Sequence, residues 1–357
     1  MSLLRTNAED ILVDLVLLKS TSEDSMMPIV EFVSDRLARL GLKPVLLGKK
    51  EQPAIIARHR KGGVMLSGHL DTVPRGDGWS HEDGEIVDGF LYGRGSCDMK
   101  GGCSAMLLAA EDLVAANVPF SLCFTTDEET TMNGADAVAR NPVAKDAVAI
   151  VVTEPTGFDI VVREKGLLQF MIRTRGVAAH ASMPQLGDNA ITKMTRLLSG
   201  LEGLQKVPKD PLDQMTLCVN TIKGGTRINV IPSDCETEVD VRYPPSMNTK
   251  SVLKVVREKI GTKGYELKIL HELDPVDTDP KSKAVLGLRN AVGAKARVIS
   301  VPYATEMVMF KRSNPRAMVC GPGDPKGCHI ADEKIEMSLV RKAADLYVEY
   351  CSSMSVK

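Results

Sequence analysis

Two histidines and a set of acidic residues carry whatever chemistry this chain performs. In SGHLDTVP (67–74) the apolar run Val64, Met65, Leu66 is followed by His69 and, two residues on, Asp71. Either the pair is an ordinary polar turn, or His69 holds a metal and Asp71 holds His69. Asp98 lies in YGRGSCDMKGG, ahead of a glycine-opened helix. Glu128 and Glu129 end FSLCFTTDEE, Glu154 ends AVAIVVTEP, and His329 lies in GPGDPKGCHIADE, just after RAMVCG. A lone glutamate at such a place is most often a solvated loop residue. Two histidines and several carboxylates at one sheet edge are a different matter, because nitrogen and oxygen donors together suit a borderline-hard divalent cation.

The elements that must position these residues are legible as apolar patterns. VMLSG, FSLCFTT and AVAIVVT read as buried strands. MMPIVEFVSDRLARLG and GGCSAMLLAAEDLVAANV read as helices, the first stopping at Gly41. Strands alternating with helices predict an α/β sheet covered on both faces, and such sheets collect ligands outside the carboxyl ends of their strands. From about residue 166 the rhythm becomes β-α-β-β-α-β, a split βαβ pattern, before the α/β pattern resumes after HELDPVDTDP. The expected organisation is a discontinuous catalytic domain, 1–165 and 274–357, with an α+β domain, 166–273, inserted as a lid.

Composition narrows the function classes. The chain has 357 residues, 43% hydrophobic and 25% charged, with a formal net charge of -1. That balance gives no electrostatic reason to bind nucleic acid or an anionic membrane. No apolar run approaches the roughly 20 residues of a membrane helix, and the first residues, MSLLRTNAED, lack the layout of a secretory leader. The eight cysteines form no C-x-x-C pair, so a metal would rest on histidine and carboxylate. These features predict a cytoplasmic protein. Of the other histidines, His59, His81 and His271 read as surface or structural, whereas His180, in RGVAAHASMP, is flanked by small residues that would let a ligand approach.

Taken in order, GHLDTVP, GRGSCDMKGG, DEE, TEPTG, GVAAHAS, GGTRINVIP, GPG and HIADE resemble the zinc-dependent amidohydrolases and exopeptidases that include acetylornithine deacetylase, succinyl-diaminopimelate desuccinylase and glutamate carboxypeptidases. The resemblance implies a zinc-exopeptidase-like α/β sandwich with a ferredoxin-like lid and dimerisation domain. It implies two divalent ions, zinc first, with cobalt or manganese suited to the same donors. His69, Asp98 and Glu154 would hold one ion and Asp98, Glu129 and His329 the other, with Asp98 bridging and the Asp98-Met99 peptide cis. Asp71 would orient His69. Glu128 would be the general base acting on a water shared by the two ions. His180 would be a lid donor to the oxyanion, supplied by the partner subunit of a homodimer, and Arg227 and Asn229 would meet the substrate carboxylate. The implied reaction is hydrolysis of the amide of an N-acylated amino acid, of acetylornithine deacetylase or succinyl-diaminopimelate desuccinylase type. The alternative is a dipeptidase or carboxypeptidase acting on a short peptide. Two departures bear on substrate choice: HIADE lacks the family's usual proline, and YATEMVMFKRSNPRAM lacks the usual glycine-containing approach to the last strand.

Overall fold

A computed structural model describes residues 8–206, 209 and 212–355; the reading of Met1–Asn7 as free of a leader falls outside the described residues. The chain divides into two units. The first comprises Met1–Val162, Thr278–Ile299 and Thr305–Lys357; the second comprises Arg163–Asp277 and Ser300–Ala304.

The first unit is an α/β fold on a mixed sheet. Its strands run in the order Val45–Gly48, Pro53–His59, Phe120–Thr125, Val64–His69, Ala149–Val152, Ala317–Val319, Ile160–Glu164. The middle of this sheet is parallel: Val64–His69 pairs in that sense with both Phe120–Thr125 and Ala149–Val152, and Ala317–Val319 pairs likewise with Ala149–Val152. Every residue of Val64–His69, Phe120–Thr125 and Ala149–Val152 is buried, which explains their near-continuous apolar sequences. Because these strands point the same way, their carboxyl ends lie at one edge; His69 ends a strand there, and the loops leaving that edge carry Glu128, Glu129, Glu154 and His329. Sequence patterning passes over the strand Ile160–Glu164, which is antiparallel to Ala317–Val319. Its run IVV has no flanking alternation to mark it.

The helix Gly101–Ala115 is buried on nearly all sides. Such burial requires small residues: a Cβ on Gly102 would meet the Thr153 carbonyl oxygen at 2.3 Å. Helix Met27–Arg39 buries Ile29, Val30, Val33 and Leu37, a single stripe at helical spacing. It starts with Pro28 in its first turn and is followed by Gly41 at φ 78.

The second unit is a four-stranded antiparallel sheet in the order Thr216–Gly224, Asp234–Tyr243, Gly166–Arg175, Glu266–Leu273, accompanied by the helices Ala190–Leu201 and Thr249–Ile260. Alternation along Gly166–Arg175 sends Leu168, Phe170 and Ile172 into a core with Met194, Val239, Val241, Val252 and Val256. Asn248 caps the second helix, accepting from the Ser251 N–H while the Ser251 hydroxyl accepts from the Asn248 N–H.

Candidate metal centre

His69 is the last residue of its strand and is 1% exposed. Its Nδ1–H donates to the backbone carbonyl of Asp71 at 2.9 Å. That bond fixes the tautomer and turns the Nε2 lone pair outward, where Asp98 Oδ1 stands at 3.2 Å and Glu154 Oε1 at 3.5 Å. The expected brace therefore exists, but it is the main chain of Asp71 that provides it. The Asp71 carboxylate lies 3.6 Å from the ring and accepts instead from the backbone N–H groups of Glu128 and Glu129, at 3.2 and 3.0 Å. One residue thus orients the histidine and shapes the turn that carries both glutamates.

Asp98 sits in the tight turn Ser96–Lys100 ahead of helix Gly101–Ala115, and its peptide bond to Met99 is cis. Its two oxygens face different histidines. Oδ1 faces His69, and Oδ2 lies 3.3 Å from His329 Nε2, which is itself 2.9 Å from Glu129 Oε1. The donor atoms of His69, Asp98 and Glu154 lie within 4.8 Å of one another, as do those of Asp98, Glu129 and His329. Two ligand atoms about 2.0–2.2 Å from one tetrahedral ion stand about 3.4 Å apart, so these separations suit a shared cation. Charge argues the same way: five carboxylates, Asp71, Asp98, Glu128, Glu129 and Glu154, converge on two imidazoles. Burial pushes the Glu128 and Glu154 carboxyls well up, opposed by His69 and reinforced by the neighbouring acids. His69 is raised too: burial alone would lower it, but Glu154, Asp98, Asp71 and Glu128 outweigh that. His329 rises to about 10 through its hydrogen bonds to Asp98 and Glu129. Without metal such a site balances its charge with protons, and divalent cations would displace them.

Sequence reasoning gave no role to four side chains that build or border the site. Glu333 is fully buried; its Oε1 accepts from the backbone N–H groups of Cys97 and Asp98 at 3.0 Å each, while Oε2 takes Arg94 Nη1 at 2.6 Å. It thereby holds the turn that presents Asp98. Asp127 accepts from the Thr131 hydroxyl and from the Asn133 and Gly134 N–H groups at 2.6–2.9 Å, closing the loop behind the two glutamates. Glu306, inside the divergent segment YATEMVMF, has both oxygens buried without a hydrogen-bond partner. Burial pushes its carboxyl up to about 8 against the pull of Thr125 and His69. Glu333 and Arg94 both fall inside motifs, and acid or base inside a motif was the available signal; Glu306 carried none.

His180, Arg227 and Asn229 belong to the second unit and are exposed. A short antiparallel ladder brings His180 and Asn229 near one another: His180 is opposite Val230, and the Ala181 N–H donates to the Asn229 carbonyl at 3.0 Å. His180 Nδ1 accepts from the Ser182 N–H at 3.2 Å, with the Ser182 hydroxyl at 2.7 Å. In the neutral ring the proton is then on Nε2, free to donate outward.

Comparison with known proteins bears on the family and the fold. Residues 65–353 match the sequence profile of peptidase family M20/M25/M40. An acetylornithine deacetylase of Proteus mirabilis (strain HI4320) is 30% identical, the match covering 80% of this chain and 78% of that protein. A protein of Staphylococcus aureus (strain MSSA476), named a probable succinyl-diaminopimelate desuccinylase, is 26% identical over 95% of each chain. Among solved structures, an M20 family metallo-carboxypeptidase of Sulfolobus solfataricus superposes with a TM-score of 0.80 at 20% identity, covering 97% of this chain and 98% of that one. Human carnosine dipeptidase 1 gives 0.74 at 19% identity, covering 97% and 95%.

Proposed function

The chain belongs to peptidase family M20/M25/M40, a metal-dependent hydrolase by that membership, and from that premise we propose that it cleaves the amide bond of an N-acylated amino acid, of acetylornithine or succinyl-diaminopimelate type. The observation that carries the proposal is Asp98 offering one oxygen to each of two histidines. His69, Asp98 and Glu154 hold one divalent ion, and Asp98, Glu129 and His329 the other; zinc suits the donors, as do cobalt and manganese. When bound, two such ions polarise the scissile carbonyl and acidify water.

The protein's own groups supply the remaining steps. Glu128, half-buried beside this cluster, takes a proton from the attacking water and delivers it to the leaving amine. Burial raises its carboxyl above the usual carboxylate range, the direction that suits an acid-base group. His180 donates from Nε2 to the developing oxyanion, and its fixed tautomer supports this role. In the homodimer we propose, that histidine comes from the partner subunit. Arg227 and Asn229, just ahead of the strand paired with His180, receive the substrate carboxylate, for which an arginine offers paired donors. The cysteines, all eight of them free, suit a reducing cytoplasm. Among the described residues no helix is long and apolar enough to cross a membrane.

The test is hydrolysis of a panel of N-acetyl-amino acids, N-succinyl-amino acids and dipeptides, with zinc or cobalt added. The deacylase reading predicts turnover of one acyl class well above any dipeptide. Turnover confined to dipeptides would replace it with the peptidase reading, and no turnover of any amide would reject both.

A further inference from the structure

Each ligand of the second proposed ion, apart from Glu129, is preceded by a cysteine: Cys97 before Asp98 and Cys328 before His329. The two come from segments 231 residues apart, yet their thiols share one acceptor. Cys97 Sγ lies 3.6 Å and Cys328 Sγ 3.9 Å from the same acceptor, the Asp324 carbonyl oxygen. The packing is close, since a Cβ on Gly323 would stand 2.6 Å from Cys97 Sγ. Cys97 is 1% exposed, whereas Cys328 is half-buried and reachable from solvent. An accessible thiol with a buried one at its back is the arrangement in which one sulfur exchanges with a small molecule and the other resolves the product.

We propose that Cys97 and Cys328 form a dithiol–disulfide modification site, closed by a low-molecular-weight disulfide, that controls occupancy of the Asp98–Glu129–His329 position. In the first step Cys328, having lost its proton, attacks one sulfur of the small disulfide RSSR, giving Cys328–S–SR and expelling RS⁻. Cys97 then loses its proton and attacks the Cys328 sulfur, forming the Cys97–Cys328 bond and expelling a second RS⁻. The two cysteines surrender two electrons and two protons, and RSSR leaves as two RSH. The bond ties together the residues next to Asp98 and His329 and draws both ligands with it. This consequence rests on the metal assignment proposed above; the bond itself does not.

The test uses the full-length, zinc-loaded protein equilibrated in mixtures of reduced and oxidised glutathione. It is read by alkylation with peptide mapping and by metal content. The expected result is a Cys97–Cys328 linked peptide, at ratios where exposed Cys218 carries only glutathione, together with loss of one of two zinc ions and recovery when the bond is reduced and zinc restored. Cys328→Ser, which changes the half-buried partner, should abolish both the link and the zinc loss. If both thiols stay alkylatable, or Cys328 carries glutathione with Cys97 still free, the site is overturned. A link with zinc unchanged overturns the control of occupancy. Reduced protein that binds no zinc would count against the metal centre, and peptide mapping would still decide the bond.

Discussion

The cluster at His69 and the cluster at His180 each centre on a histidine but are built differently. Around His69 nearly every donor is fixed by buried backbone: a strand end, a carbonyl brace, amides held by Asp71 and a turn clamped by Glu333 and Arg94. Around His180 a two-residue ladder and one serine provide the local order, and the side chains face solvent. The first cluster is organised before anything binds. The second has its shape but lacks an enclosing wall, so its function depends on what comes to cover it. Desolvated, preorganised groups do more chemistry per residue than exposed ones, and substitutions should therefore differ in kind between the two.

The largest effect is expected at Glu128. Glu128→Gln should lose roughly 10²–10⁴-fold in kcat while retaining its metal, whereas Glu129→Gln should lose metal affinity first. Metal analysis beside kinetics separates the two, and equal metal loss in both variants would merge roles that the proposal keeps apart. Next comes Glu333. Glu333→Gln leaves Arg94 buried without its charge partner, and breaking a buried pair of this kind costs about 3–5 kcal/mol. Denaturant unfolding should show that loss, and weaker metal retention should accompany it because the single amide oxygen of glutamine cannot serve both Arg94 and the Asp98 turn. A fully stable variant would mean that Arg94 finds another partner.

His180→Ala should fold normally and keep its metals, yet lose roughly 10²–10³-fold in kcat, the usual cost of an oxyanion donor. If its histidine serves the partner's site, refolding it together with Glu128→Gln should recover about a quarter of wild-type activity through mixed dimers. Recovery no greater than the sum of the two variants would place the residue in its own chain or outside the chemistry.

The smallest effect concerns protons. His329 rises to about 10 through Asp98 and Glu129, so in the metal-free protein it is protonated at pH 7 and must lose that proton to act as a ligand. Zinc binding should therefore release protons at pH 7, and affinity should gain up to about tenfold per pH unit from this group until pH reaches about 10. Calorimetry in buffers of different ionisation enthalpy measures the release directly. His329→Ala should release fewer protons than wild type.

What was readable from the sequence follows the same division between the two clusters. The parallel strands declared themselves because burial on both faces leaves runs such as AIVV. The split βαβ elements did so through alternation that reaches Leu168, Phe170 and Ile172. That Asp71 orients His69 was legible, since both belong to one short segment. That the carbonyl does the bracing while the carboxylate gathers two amides 57 and 58 residues away could not be read from it. Glu333 acts on Asp98 across 235 residues, and Glu306 is buried among groups from other strands; neither arrangement leaves a local pattern. Ile160–Glu164 was missed for a related reason, because its partners lie far along the chain.

The central claim is that Asp98 is shared between two divalent ions, one oxygen facing each histidine. Its most direct test is the metal content of protein purified without chelator, compared with His329→Ala and Asp98→Ala. The account predicts two ions per chain in the wild type, one in His329→Ala, and loss of both from Asp98→Ala. One ion in active wild-type protein, or two retained by Asp98→Ala, would contradict it.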